Sequence, residues 1–147
     1  MLSSIRATLL LGDHAQVADG KLNVIGAGWT MTGPQAAPFA LAALIEFPWT
    51  EAGTTHAARF ELLDSEGIPV EVPTPEGEQP VFIQVEFHVG AGFGVPKGTP
   101  LVQPIALNSG PQPIPPGGRY EWRLLVDGET EETWRVAFST RPMQKAA

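Results

Sequence analysis

The chain has 147 residues, a formal charge of −7 and no cysteine. This length is typical of one domain, which we place at residues 1–147, and the lack of cysteine excludes disulfides, thiolate metal ligands and a cysteine nucleophile. The nine lysines and arginines are scattered along an acidic chain. This argues against nucleic acid or an anionic membrane surface as a partner, since both are bound by clustered cations.

No apolar run approaches the roughly 20 residues of a membrane-spanning helix. The run after Arg6 is also shorter than the apolar core of a signal peptide, so we interpret it as a first strand. We therefore expect no membrane insertion and a cytoplasmic location, with a flexible tail over the last few residues.

The 16 glycines and 15 prolines punctuate the chain at short intervals, which is typical of an all-β protein. Strict alternation of apolar and polar residues is clearest from Val81 to Val89, and the last two strands flank a turn of sequence DGETEE. The predicted strands, in chain order, are 4–11, 21–29, 39–47, 57–63, 68–72, 81–89, 99–107, 120–126 and 134–139. Segment 39–47 is rich in helix formers, but the prolines on either side leave too little room for a typical helix.

The stretch LGDHAQVADGKLNVIGAG ends like a dinucleotide-binding fingerprint. That motif needs a third glycine and a following helix, and the chain continues instead as WTMTGPQAAP. Asp19-Gly20 favours the positive backbone angles of a tight hairpin turn. We therefore interpret the stretch as a hairpin, with Gly26 and Gly28 making room for a large neighbour or permitting a bulge.

Two residues indicate how the later strands are arranged. Pro104 removes a backbone donor, so its strand is expected at a sheet edge or at a bulge. Tyr120 follows the stiff segment NSGPQPIPPGG, where it either fixes the crossover as a tyrosine corner or simply packs into the core.

The turn DGKLNVIG, the block FALAALIEFPW and the closing hairpin YEWRLLVDG resemble an uncharacterised family of small bacterial all-β proteins, a domain of unknown function. The resemblance extends from ATLLLGDHAQ to that hairpin. It implies a single domain and brings no catalytic residue with it. From this resemblance and the strand pattern, we predict a single antiparallel β-sandwich of about eight or nine strands. We expect it to be immunoglobulin-like or C2-like, with little or no helix.

The three histidines match no local metal motif, and we interpret His56 and His88 as solvated side chains. Asp13 and His14 are adjacent at a strand end, and an acid beside an imidazole could serve a hydrolase. Adjacent residues of a strand point to opposite faces, however, which favours a capping aspartate with an exposed histidine. No serine lies in a nucleophile-elbow motif, and no phosphate-binding loop occurs.

Loop carboxylates could hold calcium where hairpin ends meet, although each group is equally typical of a solvated turn. The candidates are Asp64, Glu66, Glu76, Glu78, Asp127, Glu129 and Glu131. We assign no metal and no cofactor.

Two aromatic residues are candidate contacts for a partner. Trp49 follows a strand end, and Phe93 lies in the glycine-rich loop VGAGFGVPKG. A Phe93 ring tucked under its own loop is narrowly favoured over an exposed ring that anchors a partner. We expect a non-enzymatic binding or assembly module that contacts protein, including a second copy of itself, through a strand edge or these loops. A small-ligand, glycan or calcium-dependent binding protein is the alternative, and a hydrolase using Asp13 and His14 comes third.

Overall fold

The computed structural model describes residues 4–90 and 93–144, so part of the predicted flexible tail, residues 145–147, lies outside the described residues. The described chain is all β, with a 3₁₀ turn at Trp49–Glu51 and no α-helix. None of its helical segments is long and apolar enough to cross a membrane. The strands are β1 (Arg6–Gly12), β2 (His14–Ala18), β3 (Lys21–Ile25), β4 (Met31–Thr32), β5 (Phe39–Phe47), β6 (Thr55–Asp64), β7 (Glu71–Thr74), β8 (Gly77–Pro80), β9 (Phe82–His88), β10 (Leu101–Ser109), β11 (Arg119–Val126) and β12 (Arg135–Thr140).

Two sheets contain most of these strands. One has three antiparallel strands in the order β1-β5-β10, and the other has five in the order β4-β12-β11-β6-β9. Neighbours in the larger sheet are antiparallel except for β4 and β12, which run parallel. The hairpins β2-β3 and β7-β8 form two further small sheets.

Both larger sheets contribute to one buried cluster. Alternate residues of a strand share a face, and on β5 one face carries Leu41, Ala43, Ile45 and Phe47, all buried. The five-stranded sheet contributes Ala58, Phe60, Leu62, Trp122, Leu124, Val126 and Phe138. The rings of Phe39 and Trp122 join the two sheets, with 5.8 Å between their centroids.

The opposite face of β5 is covered by the β2-β3 hairpin. Ala40 and Ala42 are fully buried there, in a second cluster with Ala15. The side chain of Asn108 anchors the hairpin, because its Nδ2 donates to the carbonyl of Ala15 at 2.8 Å and its Oδ1 accepts from the Ala15 N–H at 3.0 Å. The first half of segment 39–47 is therefore apolar on both faces because both faces are covered there, whereas Leu44, further along the second face, is 38% exposed.

The turn predicted at Asp19-Gly20 is confirmed. These residues have φ of 52° and 69°, and Ala18 pairs with Lys21 across the two-residue loop. The strand predicted at 21–29 ends earlier, at Ile25, because Gly26 and Gly28 take φ of 67° and 89° and turn the chain away. A Cβ at Gly26 would also collide with the side chain of Asp13.

The structure has twelve strands in its described part, where about nine were predicted. Strands β2, β4 and β8 were missed, and the strand predicted at 68–72 lies at Glu71–Thr74. The missed strands carry little hydrophobic signal: β4 has two residues, and β8 is exposed throughout. Hydrogen bonds between neighbouring strands define them, and periodicity does not report such bonds.

The expectation for Pro104 is confirmed, and of the two alternatives for Tyr120 the structure shows the hydrogen bond of a tyrosine corner. Pro104 lies in β10 at the edge of the three-stranded sheet. The phenol Oη of Tyr120 donates to the carbonyl of Pro115 at 2.9 Å, as a tyrosine corner requires. The same carbonyl accepts a second hydrogen bond from the hydroxyl of Thr140, also at 2.9 Å.

We predict that Tyr120→Phe lowers the free energy of unfolding at neutral pH by about 0.5–1.5 kcal/mol, the net value of one hydrogen bond. The loss stays in this range because Thr140 still satisfies the Pro115 carbonyl. Denaturant unfolding of both proteins at pH 7 measures the difference. No change would show that the phenol only packs.

The pH dependence gives an independent check, because Tyr120 is the only tyrosine. Burial raises its pKa above 10.0, the charge of Asp64 raises it further, and the Thr140 hydroxyl lowers it by less. A raised pKa means that the folded state holds the phenol proton more tightly. We therefore expect the contribution of Tyr120 to be complete below about pH 10 and to be lost as the pH rises through the folded-state pKa. Absorbance titration of the phenol, native and unfolded, measures the two values.

Candidate functional site

Trp49 and Phe93 belong to the same end of the sheets but have different environments. The loop that carries Phe93 lies between β9 and β10, and Pro48 and Trp49 line an open groove of about 500 Å³ with Gly98 and Pro100 of that loop. Trp49 is partly buried and packs against the main core cluster. Phe93 is 94% exposed. We call this region, formed by residues 48–54 and the described part of 90–100, the loop surface.

Asp13 and His14 lie at the other end of β1. Arg6 at the start of that strand pairs with Glu46, next to the loop surface, whereas Gly12 at its end pairs with Ala40. Both side chains are exposed, and within the described residues they make no hydrogen bond to each other. The structure therefore does not bring this pair together with Trp49 and Phe93.

A histidine cluster that sequence analysis missed lies beside the loop surface. The His56 side chain is only 11% exposed, so its interpretation as a solvated residue was wrong. Its ring stacks on Phe47, with 4.8 Å between centroids, and on Phe87 at 5.9 Å. His56 Nδ1 lies 2.6 Å from Asp127 Oδ2, and His56 Nε2 lies 2.8 Å from the hydroxyl of Thr54.

The order hydroxyl, imidazole, carboxylate matches that of a catalytic triad, but the hydroxyl has other acceptors beside it. The Thr54 hydroxyl lies 2.6 Å from the carbonyl oxygen of Glu51 and 3.0 Å from its carboxylate, and either oxygen can accept its proton in place of the imidazole. The Glu51 carboxylate also lies 3.3 Å from His56 Nε2. In a catalytic triad the hydroxyl of the nucleophile donates to the imidazole, which acts as its general base. This arrangement favours a cluster that ties three chain segments together.

Asp127 provides the carboxylate that connects these chain segments. Its Oδ1 accepts a hydrogen bond from the Ala57 N–H at 2.9 Å, and its own N–H donates to the Ala57 carbonyl at 2.9 Å. Partial burial raises the pKa of Asp127, but the hydrogen bonds from Ala57 and His56, with the charge of His56, more than offset this. The pKa consequently lies below its ordinary value of 3.8.

Two of the calcium candidates, Asp64 and Glu76, are used within their own turns, and Asp127 is used by His56 and Ala57. Asp64 Oδ1 accepts hydrogen bonds from the N–H groups of Glu66 and Ile68, at 2.8 and 3.0 Å. Glu76 is held by Thr74 in the β7-β8 turn. Across the described part of the chain, no group of three or more histidine, aspartate or glutamate side chains is arranged to hold a metal ion.

An apolar cavity lies at the end of the sheets away from the loop surface. Its walls include the aromatic rings of Trp29, Phe39, Trp122 and Phe138, and its volume is about 30 Å³. This is well below the roughly 300 Å³ or more that is typical of small-molecule sites.

A family model matches residues 7–138 of the chain. The chain belongs to a family of unknown function, DUF6941. This membership confirms the resemblance to an uncharacterised family that the sequence indicated. It assigns no activity to the chain or to any of its residues. The curated proteins contain no match to this chain, and neither do the solved structures.

We predict that Asp127→Asn lowers the unfolding midpoint at pH 7. Asparagine tolerates the positive φ of 51° found at this position, so the change removes charge without adding backbone strain. A depressed pKa means that the carboxylate stabilises the fold above its ordinary value of 3.8 and that this contribution disappears as the pH falls through the folded-state pKa.

Thermal unfolding of both proteins between pH 3 and pH 7 measures the effect, and the two curves should converge at the acid end. Glu129→Gln is the matched control, because it removes the same charge from an exposed position in the same turn. An equal loss of stability in both variants would mean that the change in net charge causes the loss, and not the removal of the interactions of Asp127 with His56 and Ala57.

Proposed function

We propose that this chain is a non-enzymatic module that binds another protein through the loop surface. Phe93 carries the proposal, because an aromatic ring that is 94% exposed gains nothing for the isolated fold. Transfer of such a ring from water to an apolar pocket is favourable by about 1.5–3 kcal/mol. Exposed aromatic side chains of this kind are frequent anchors at protein interfaces.

The surroundings of Phe93 support a role in contact with a partner. Val95 on the same loop is also exposed, and the loop returns over a turn in which the Thr99 N–H donates to the Pro96 carbonyl at 3.1 Å. Trp49 packs against the core and provides a firm base at the edge of the groove. The loop surface thus combines an exposed aromatic ring with a groove lined by a tryptophan that packs against the core.

The supporting fold is, in our proposal, a single β-sandwich of immunoglobulin-like type. The buried cluster common to the three-stranded and five-stranded sheets supports this arrangement, as does the tyrosine corner at Tyr120. A binding module is favoured over a hydrolase because Asp13 and His14 make no mutual hydrogen bond in the described chain and the Thr54 hydroxyl has the Glu51 carbonyl and carboxylate oxygens as other acceptors. We also propose a cytoplasmic location for it.

Phe93→Ala is expected to weaken partner binding by at least tenfold while leaving the unfolding midpoint unchanged, because the ring makes few contacts in the free chain. The measurement is affinity capture from the native host at modest salt, read by quantitative mass spectrometry, with wild type and variant compared. Trp49→Ala is less informative, since Trp49 packs against the core.

Ile68→Ala is the matched control. Ile68 is a large apolar residue that is 54% exposed. It follows the last residue of β6, whereas the loop surface lies beside the first residue of that strand. A stoichiometric partner should be retained by this control and lost with Phe93→Ala. Equal recovery by all three proteins would show that the loop surface is not the binding site.

A further inference from the structure

Within residues 4–90 and 93–144, no further strand pairs with the edge of the five-stranded sheet that β9 forms. β9 is the last strand of that sheet, with β6 as its neighbour, and its seven residues include no proline, glycine or lysine. Proteins usually protect such edges with proline, charge or very short strands. The opposite edge of this sheet is a two-residue strand, and β10 carries Pro104. β9 is longer and has no proline, and its one acidic residue is Glu86.

Hydrogen bonds at both ends of β9 show which backbone groups face outward. The N–H of Val89 donates to Thr54 at 2.9 Å, and the carbonyl of Val81 accepts from Leu62 at 3.1 Å, so both residues direct these groups toward β6. Backbone direction alternates along a strand. Ile83, Val85 and Phe87 therefore also face β6, and the N–H and C=O groups of four residues face outward. These four are Phe82, Gln84, Glu86 and His88.

We propose that β9 pairs with β9 of a second copy of this chain, antiparallel, about a two-fold axis at Val85. This register uses all seven residues and places outward-facing residues opposite each other. Gln84 lies opposite Glu86 of the second copy, and Phe82 lies opposite His88. The proposal goes beyond the proposed function, because it names a second copy as the partner and uses a surface other than the one that carries Phe93.

The side chains fit this register better than its neighbours. Centring the axis on Glu86 places two carboxylates opposite each other, which is unfavourable, and centring it on Gln84 pairs only five residues. In the proposed register the one acidic residue of β9 meets an amide. On the other face, Ile83 meets Phe87 and Val85 meets itself, and these apolar side chains are half-buried in the single chain.

The outer face of β9 is already ordered by β6. The guanidinium of Arg59 lies 3.7 Å from the centre of the Phe82 ring, and its Nη1 donates to the Gln84 side chain at 3.3 Å. His88 Nδ1 lies 2.8 Å from the hydroxyl of Thr55. Side chains fixed before association lose less entropy on binding.

Sedimentation velocity over a range of protein concentrations, at about 0.15 M salt to screen the acidic chains, tests for the dimer. A single pair of strands is a small interface, so we expect a dissociation constant on the order of micromolar. Wild-type protein that stays monomeric to about millimolar concentration would overturn the proposal. Phe93→Ala should dimerise like wild type, which separates this test from that of the loop surface.

Charge variants test the register. Gln84→Glu places a carboxylate opposite Glu86 of the second copy, and the two-fold axis repeats this pair. The variant should raise the dissociation constant by about 2- to 30-fold. The double variant Gln84→Glu/Glu86→Gln restores one carboxylate opposite one amide and should return it to within about twofold of wild type. The proposed pairing would be overturned if Gln84→Glu left the dissociation constant unchanged, or if adding Glu86→Gln did not restore it.

A cysteine placed at the two-fold axis tests it covalently, since the natural chain has no cysteine. In the proposed register Val85 faces itself in a non-hydrogen-bonded pair, where the Cα separation of about 4.5 Å permits a disulfide. Val85→Cys should cross-link under mild oxidation, as seen on a non-reducing gel. Val102→Cys, exposed on β10, is the collision control, and equal cross-linking of the two variants would contradict the proposal.

Discussion

The burial of the first half of β5 on both faces is the constraint on which the rest of the structure depends. One face of this strand enters the main core, and the other carries Ala40 and Ala42, which are fully buried. A strand in a three-stranded sheet cannot be covered on its second face by that sheet. The β2-β3 hairpin supplies this cover, and Asn108 fastens it in place through two hydrogen bonds to Ala15. The tight turn at Asp19-Gly20 and the glycines after Ile25 follow from this need to fold the hairpin back.

The parts of the fold that were predictable are those with a local signal. Alternation located β5, β6, β9 and β11, Asp-Gly located a turn, and the proline of β10 indicated an edge. The missed strands depend on neighbours that are distant in sequence, because β4 pairs with β12 across more than a hundred residues and β8 has no buried residue. Single-sequence patterns carry no information about such pairings.

The chemistry of the candidate site was less predictable than the fold. The sequence narrowly favoured a Phe93 ring tucked under its own loop, and this was wrong, because the ring is 94% exposed. His56 and Asp127 are 71 residues apart, and only the β6-β11 pairing brings their strands together. The sequence motif DGETEE did mark a turn, but it did not indicate that its first carboxylate binds an imidazole. Conversely, Asp13 and His14 were candidate catalytic residues because they are adjacent in sequence. Adjacency in sequence is weak evidence that two side chains act together.

These features favour a chain that acts through exposed edges and loops, with its polar clusters employed in holding the fold. Amide hydrogen exchange, followed residue by residue at low and high protein concentration, tests this claim most directly. We expect the amides of Gln84 and Glu86 to become protected as the concentration rises, while those of Ile83 and Phe87 are protected throughout. Rapid exchange at Gln84 and Glu86 at every concentration would contradict association through the β9 edge of the sheet.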